Sequence, residues 1–211
     1  MTVDHARGTA PTLFTFRGVS DNDVKLVHTF LERIGENPER EGLRETPQRF
    51  WDAWLDYFAV GYGQDAKEVL KTFTDGAEGY DELVFCGNIG VFSYCEHHLV
   101  PFFGIAHVGY IPNGKIVGLS KLARVVEVFA RRLQTQERIT TQVADALWDN
   151  LSPQAVGVVL RCRHLCMESR GIEKVGSVTY TSALRGDFRD DVASRSEFLA
   201  FVTRADTKSQ L

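Results

Sequence analysis

The chain has 211 residues, of which 44% are hydrophobic and 25% are charged, a composition typical of a globular protein with a substantial core. Its net charge of -4 and its pI near 5.9 argue against partners such as nucleic acid or a membrane surface, which bind through bulk positive charge. No apolar run reaches the length that a bilayer requires, and the opening residues lack the apolar core of a signal peptide. We therefore expect a soluble, cytoplasmic protein.

The first part of the chain is predicted to be an arm followed by helices. Residues 1–20 show no periodicity and are expected to be flexible. From Asp21 the apolar residues recur at the i, i+3, i+4, i+7 spacing of an amphipathic helix. They are Val27, Phe30, Leu31 and Ile34.

A second helix is predicted to begin at Thr46 and Pro47 and to end at Gly61, because a hydroxyl residue followed by proline is a helix-start signal. Its many aromatic residues indicate packing against another element or another subunit. The two helices define a predicted N-terminal helical region, residues 21–73, ahead of a second region, residues 74–211.

The second region begins with two stretches of strand character, "ELVFCGNIGVFSYC" and "FFGIAHVGYIP". Two consecutive helices follow, "SKLARVVEVFARRL" and Glu137–Asn150, and then two more strands, one of which runs from Ala155 to about Met167. "SRSEFLAFVTRA" closes the chain as a helix. Because no βαβαβ alternation appears, the pattern predicts an α+β fold with an antiparallel sheet.

The stretch "SYCEHHLVPF" brings a thiol and two imidazoles into four consecutive positions. Cys95 and His98 are separated by two residues, which lets both side chains converge on a metal ion from one turn. Zinc binds thiolate and imidazole in tetrahedral geometry, and a catalytic site keeps one position open for water. The pair alone is weak support for a site.

A second cluster, "RCRHLCM", contains Cys162, His164 and Cys166 at alternating positions. In a regular strand Cys162 and Cys166 would lie about 13 Å apart, at roughly 3.3 Å per residue, so both cannot bind one ion unless the strand breaks. The residues therefore predict a zinc site formed by Cys95, His98 and one of the two later cysteines.

Two alternatives to a catalytic zinc site remain open at this point. Cys95 and Cys166 could form a disulfide, which a reducing compartment disfavours. His97 or His164 could supply a fourth ligand and make the zinc purely structural. If neither histidine is a ligand, both would lie near a metal-bound water, where groups that titrate near pH 7 favour proton transfer. Cys86 is interpreted as a buried strand residue.

Possible anion contacts occur in "GLSKLAR" and "SRGIEK". Ser120 lies at a helix start with Lys121 and Arg124 in the first turn, where the helix dipole disfavours cations unless an anion binds there. Arg170 follows the second cysteine cluster. In "QTQER", the Glu137 carboxylate, with Gln136 beside it, could accept two adjacent N–H groups of a guanine. A solvated helix face and ordinary helix capping are the simpler interpretations of these residues.

The combination of these motifs resembles the GTP cyclohydrolase I family. The similarity covers nearly everything after about Glu41. It runs through "EGLRETPQR", "FSYCEHHLVPFFG", "GYIPNGKIVGLSKLARVVEVFARRLQTQERIT", "HLCMESRGIEK" and "SRSEFL". The departures that we note are Cys162, Glu168 and a divergent arm before Asp21.

The resemblance implies a role for each candidate residue. It implies that Cys95, His98 and Cys166 hold one catalytic zinc ion (Zn2+) per subunit, and that Cys162 takes no part. His97 and His164 would assist proton transfer while water attacks C8 of GTP and formate leaves. Glu137, with Gln136, would bind the guanine edge. Contacts to the ribose and triphosphate would come from Ser120, Lys121, Arg124 and Arg170.

The resemblance also implies the fold and the assembly. Residues 74–211 would form a catalytic domain with the tunnelling fold (T-fold), in which the two consecutive helices pack on one face of the sheet. The product would be 7,8-dihydroneopterin triphosphate. The chain would assemble as a homodecamer of two pentamers, with active sites between subunits.

Two alternative functions predict a different metal site. A pterin synthase of the same fold would bind zinc through three histidines, and the Cys-His-Cys set argues against it. A non-enzymatic scaffold held together by zinc would have four protein ligands that enclose the metal fully.

Overall fold

The computed structural model of the protein describes residues 18–207, so residues 1–17 of the predicted arm lie outside the described part. Helix α1, Asp21–Arg33, begins with a capping box in which Ser20 and Asp23 satisfy each other's backbone N–H groups. Val27 and Leu31 are buried, as predicted. Phe30 and Ile34 are each 59% exposed, so half of the predicted apolar face has no cover within the described chain.

The second predicted helix is interrupted. Helix α2, Thr46–Ala53, continues as a π-helical turn, Trp54–Phe58, and a 3-10 turn, Val60–Gly63, before the short helix α3, Ala66–Val69. The prediction of one regular helix to Gly61 was therefore wrong. The π turn places the rings of Trp54 and Phe58 at 4.6 and 4.7 Å from that of Tyr94, and this packing joins the helical region to the sheet.

The centre of the fold is a five-stranded sheet in the order β5-β2-β3-β6-β7. Its strands are β2 Val84–Cys95, β3 Pro101–Ile111, β5 Leu133–Gln134, β6 Ala155–His164 and β7 Val178–Gly186. The four long strands are antiparallel, and only the short β5 runs parallel to its neighbour β2. The predicted α+β class with an antiparallel sheet is confirmed.

Helices cover both faces of the sheet. The two consecutive helices, α4 Leu119–Ala130 and α5 Gln136–Leu151, bury their apolar faces on one side, where the larger core lies. The C-terminal helix α8, Val192–Asp206, follows the short α7, Asp187–Asp190, and packs Phe198 and Val202 on the opposite side.

Two further points bear on the site. A small strand pair joins β1, Thr72–Phe73, to β4, Ile116–Val117, so the helical region is tied to the sheet region; the boundary at residue 73 stays a prediction. Strand β6 ends at His164 and is followed by the helical turn α6, Leu165–Glu168. The predicted extension of this strand to Met167 was wrong.

Among the described residues 18–207, no helix is long and apolar enough to cross a membrane.

Candidate metal centre

The first two candidate ligands lie at the end of β2. Cys95 is the last residue of that strand and is 7% exposed. Its carbonyl accepts hydrogen bonds from the N–H groups of His98 and Leu99, at 3.3 and 2.8 Å, and Leu99 has a left-handed φ of 55°. This tight turn brings Nδ1 of His98 to 3.7 Å from Sγ of Cys95.

The third candidate ligand comes from α6. The ligand atoms of Cys95, His98 and Cys166 all lie within 4.8 Å of one another. In a tetrahedral zinc site, bond lengths near 2.3 Å to sulfur and 2.0 Å to nitrogen put neighbouring ligand atoms about 3.6 to 3.8 Å apart. The donor set and its spacing therefore fit zinc.

The other cysteines and histidines of the described residues lie outside this group. Within residues 18–207, neither His97 nor His164 belongs to the three-residue cluster, and all four cysteines are free thiols. Cys162 is buried in the larger core, and this burial raises the pKa of its thiol to about 12. Cys86 is half-buried in β2, less enclosed than predicted, and burial raises its pKa as well.

The two histidines differ in their surroundings. The His97 side chain is 64% exposed, and its Nδ1 lies 3.8 Å from Sγ of Cys95. His164 stacks on the ring of Phe102 at 4.7 Å, with 7° between the planes. Burial lowers the pKa of His164, and the nearby carboxylate of Glu137 acts in the opposite direction.

Gln136 is 1% exposed and faces the protein interior. Its Oε1 lies 2.8 Å from Nε2 of His164. Its amide nitrogen donates to the carbonyl groups of Leu160 and Thr179 and to the hydroxyl of Thr181, at 3.0 to 3.2 Å. Glu137, the next residue, is exposed at the start of α5, so the two residues of this predicted pair face different surroundings.

The anion candidates separate into two places. Arg170 is exposed and lies near Cys166. Burial and the neighbouring Cys95 raise the pKa of the Cys166 thiol, and the charge of Arg170 acts in the opposite direction. Ser120, Lys121 and Arg124 lie in the first turns of α4. That helix is about 18 Å long at 1.5 Å per residue, and its end rather than its start lies next to β5, the strand that pairs with Tyr94 and Cys95.

Two ion pairs near the cluster were not predicted. Both oxygens of Glu96 accept hydrogen bonds from the guanidinium of Arg138, one of them at 2.9 Å, and this pair lowers the pKa of the Glu96 carboxyl. Arg163 forms a similar two-point pair with Glu168, at 2.9 and 2.6 Å. Glu96 lies in the turn after Cys95, and Arg163 and Glu168 lie on either side of Cys166. The charged residues next to these cysteines in the sequence could have indicated that ion pairs hold the two turns.

The sequence of the chain matches a known protein family. A family model described as GTP cyclohydrolase I matches residues 24–203. The chain belongs to the GTP cyclohydrolase I family. It is similar to GTP cyclohydrolase 1 of Janthinobacterium sp. (strain Marseille), with 57% identity over 83% of this chain and 88% of that protein. The protein of the same name from Nitrosospira multiformis is 58% identical over 82% of this chain and 90% of that protein.

A third relative named GTP cyclohydrolase 1, from Streptomyces coelicolor, is 55% identical over 83% of this chain and 87% of its own length. Among solved structures, the apo form of the archaeosine synthase QueF-Like is similar with a TM-score of 0.42 and 17% identity. That match covers 49% of this chain and 93% of the other, too little likeness to bear on function.

Family membership agrees with the fold and with the donor set. The sheet with two consecutive helices on one face is the T-fold expected of a GTP cyclohydrolase I. Members of the family depend on zinc, and the described residues include a group able to bind that ion, Cys95, His98 and Cys166.

Proposed function

We propose that the protein is a zinc-dependent GTP cyclohydrolase I. One water adds at C8 of GTP and opens the imidazole ring to a formamide, and a second water cleaves the formamide and releases formate. The opened ribose then rearranges, and a new ring closes onto the freed amine with loss of one water to give 7,8-dihydroneopterin triphosphate. The observation that carries this proposal is the convergence of Cys95, His98 and Cys166 in a chain that is 55 to 58% identical to proteins of this name.

Cys95, His98 and Cys166 would hold the zinc ion, which would lower the pKa of a bound water to about 7. The protein's own part would be to position proton acceptors and donors around that water. Support for His164 comes from its hydrogen bond to Gln136 and from its proximity to Glu137. Support for His97 comes from its exposed ring beside Cys95. In this proposal they accept a proton from the attacking water and return one to the ring nitrogen that leaves.

Glu137 is proposed to hold the guanine through its N1–H and its exocyclic amine, which are adjacent donors suited to a carboxylate. Its exposure beside His164 supports this role. For Gln136 we propose a revised role. Because its amide is buried and engaged with the protein, it orients His164, and the guanine contact is left to Glu137.

The triphosphate is proposed to lie between subunits. Arg170 would bind it from the metal end of one chain, and Ser120, Lys121 and Arg124 would bind it from the start of α4 of another. Support for an assembled site comes from α4, whose end rather than its start lies next to the strand that pairs with Cys95. A homodecamer of two pentamers remains our proposal for the assembly. A cytoplasmic location and a domain boundary at residue 73 also remain predictions.

Incubation of the zinc-loaded protein with GTP tests the activity. We expect one formate for each GTP consumed, together with a product that becomes fluorescent, as a pterin does, after oxidation. A chelator should abolish both signals, and added zinc should restore them. A folded, zinc-loaded sample that gives neither formate nor the fluorescent product would contradict the proposed activity.

A further inference from the structure

Cys166 reaches the other two ligands only because strand β6 stops at His164. If the strand continued, each further residue would carry the chain about 3.3 Å along the sheet, and the side chain of Cys166 would move away from Cys95. The contacts that hold this turn therefore decide whether the third ligand is in place.

The strongest contact across the turn is the ion pair between Arg163 and Glu168. Arg163 is the penultimate residue of β6, and Glu168 is the last residue of α6. Two parallel hydrogen bonds join them: Nε to Oε1 at 2.9 Å and Nη2 to Oε2 at 2.6 Å. The Glu168 side chain is only 5% exposed. Such a two-point pair fixes direction as well as distance.

Further contacts hold Arg163 and the turn next to Glu168. The guanidinium of Arg163 lies 5.8 Å from the centre of the Phe103 ring, and the two residues are cross-strand partners in β3 and β6. On the other side, the N–H of Lys174 donates to the carbonyl of Met167 at 3.0 Å. The turn that carries Cys166 is therefore held to the sheet through Arg163 and Glu168.

We propose that Arg163 and Glu168 are positioning residues for Cys166, and that their ion pair determines how firmly the chain retains its zinc. Neither residue belongs to the metal cluster, so the effect passes through the turn between them. The inference rests on the proposed function for the identity of the metal. It also gives a role to Glu168, one of the residues at which this chain departs from the family pattern.

Zinc release from the loaded protein tests the proposal. The protein is mixed with an excess of a chromophoric chelator, well below its unfolding temperature, and the appearance of the zinc complex is followed. Changing a partner that orients a metal ligand typically costs about 10- to 100-fold in metal affinity. We expect Glu168→Gln, which keeps the size and removes the charge, to release zinc roughly tenfold faster. Excess zinc should restore its turnover of GTP.

Matched variants separate this role from general stability. Glu36→Gln removes an exposed pair with Arg40 (2.9 Å) that follows α1 in the N-terminal helical region and should release zinc at the wild-type rate. Arg163→Lys keeps the charge but loses the two-point geometry, and should fall between wild type and Glu168→Gln. If Glu168→Gln does not fold, Arg163→Lys decides the question.

Folded variants that release zinc at the wild-type rate would overturn the inference, as would equal acceleration by Glu36→Gln. Zinc content and GTP turnover of the wild type show whether the ion-pair inference or the proposed function has failed. A wild type that holds zinc and converts GTP, beside variants with unchanged release, would contradict only the role of the pair. A wild type without zinc or turnover would contradict the proposed function itself.

Discussion

Nε2 of His164 lies 2.8 Å from Oε1 of the buried Gln136. The Gln136 amide nitrogen donates to main-chain and hydroxyl oxygens, and this fixes which end of the amide faces the histidine. Because Oε1 can only accept, Nε2 of neutral His164 carries the proton. Nδ1 is then the nitrogen that is free to accept a proton during the reaction.

The first prediction concerns this tautomer. Gln136→Leu removes the acceptor that selects it, and we expect kcat to fall, by no more than the roughly 10²- to 10⁴-fold that loss of the general acid or base itself costs, while zinc content and KM for GTP change little. Steady-state kinetics with metal analysis checks this result. Gln48→Leu, at an exposed position in α2, is the control and should behave as wild type. A large rise in KM with unchanged kcat would instead assign Gln136 to guanine binding.

The second prediction concerns the two histidines. His164→Ala and His97→Ala should each keep one zinc per chain, because neither residue belongs to the ligand group. Each should lower kcat by about 10² to 10⁴, the usual contribution of a general acid or base. Metal analysis of the purified variants, with a formate assay, measures both quantities. If either variant lost its zinc, that histidine would be a ligand and its assigned role would be wrong.

The third prediction concerns the interface between subunits. Lys121→Ala and His164→Ala should each be nearly inactive alone. In mixed oligomers made by co-expression, a site could combine the intact α4 start of one chain with the intact metal end of another. Random mixing should then restore up to about a quarter of wild-type turnover.

The control for mixing is the pair His97→Ala and His164→Ala. Both changes affect the metal end of the same chain, so their mixture should restore nothing. If Lys121→Ala and His164→Ala also failed to complement each other in verified mixed oligomers, the site would not be shared between chains as proposed.

The fourth prediction concerns stability against pH. His107 is fully buried, with Nε2 at 3.2 Å from Oδ1 of Asp206. Burial lowers its pKa; Asp206 opposes this shift and the charge of Arg161 adds to it. The folded state therefore binds a proton less readily than the unfolded state, whose histidine titrates near pH 6.5. The stability that comes from neutral His107 is present above about pH 6.5 and is lost as pH falls towards the folded pKa.

Urea unfolding of the zinc-loaded protein at about pH 7.5 and pH 5.5 measures this effect. The free energy of unfolding should decrease more over that range in wild type than in His107→Gln, which cannot titrate. Using the same zinc concentration for both proteins cancels the titration of the metal ligands. Equal decreases in the two proteins would show that His107 contributes nothing to the pH dependence.

Much of the fold follows from local patterns. Apolar periodicity predicted α1, the two consecutive helices and the strand pairs, and the order of elements predicted an antiparallel α+β sheet. The π turn at Trp54–Phe58 was not predictable, because it depends on ring packing against Tyr94. The exposure of Phe30 and Ile34 was not predictable either. Their spacing indicates an apolar helix face but does not indicate which element packs against it.

The site was only partly predictable for the same reason. The spacing of Cys95 and His98 indicated a shared turn, but spacing alone could not choose between Cys162 and Cys166. That choice depends on where β6 ends, and a side-chain pair across the turn holds that end. The family resemblance supplied the choice that local patterns could not. The burial of Gln136 was not predictable either, because "QTQER" has the pattern of an ordinary helix start.

The most direct test of the central claim is a zinc titration of chelator-stripped protein, with formate release from GTP as the readout. The account predicts that turnover rises in proportion to bound zinc and saturates at one zinc per chain. Cys95→Ala and Cys166→Ala should stay inactive at every zinc concentration. Formate release by the metal-free protein, or full turnover by either cysteine variant, would contradict it.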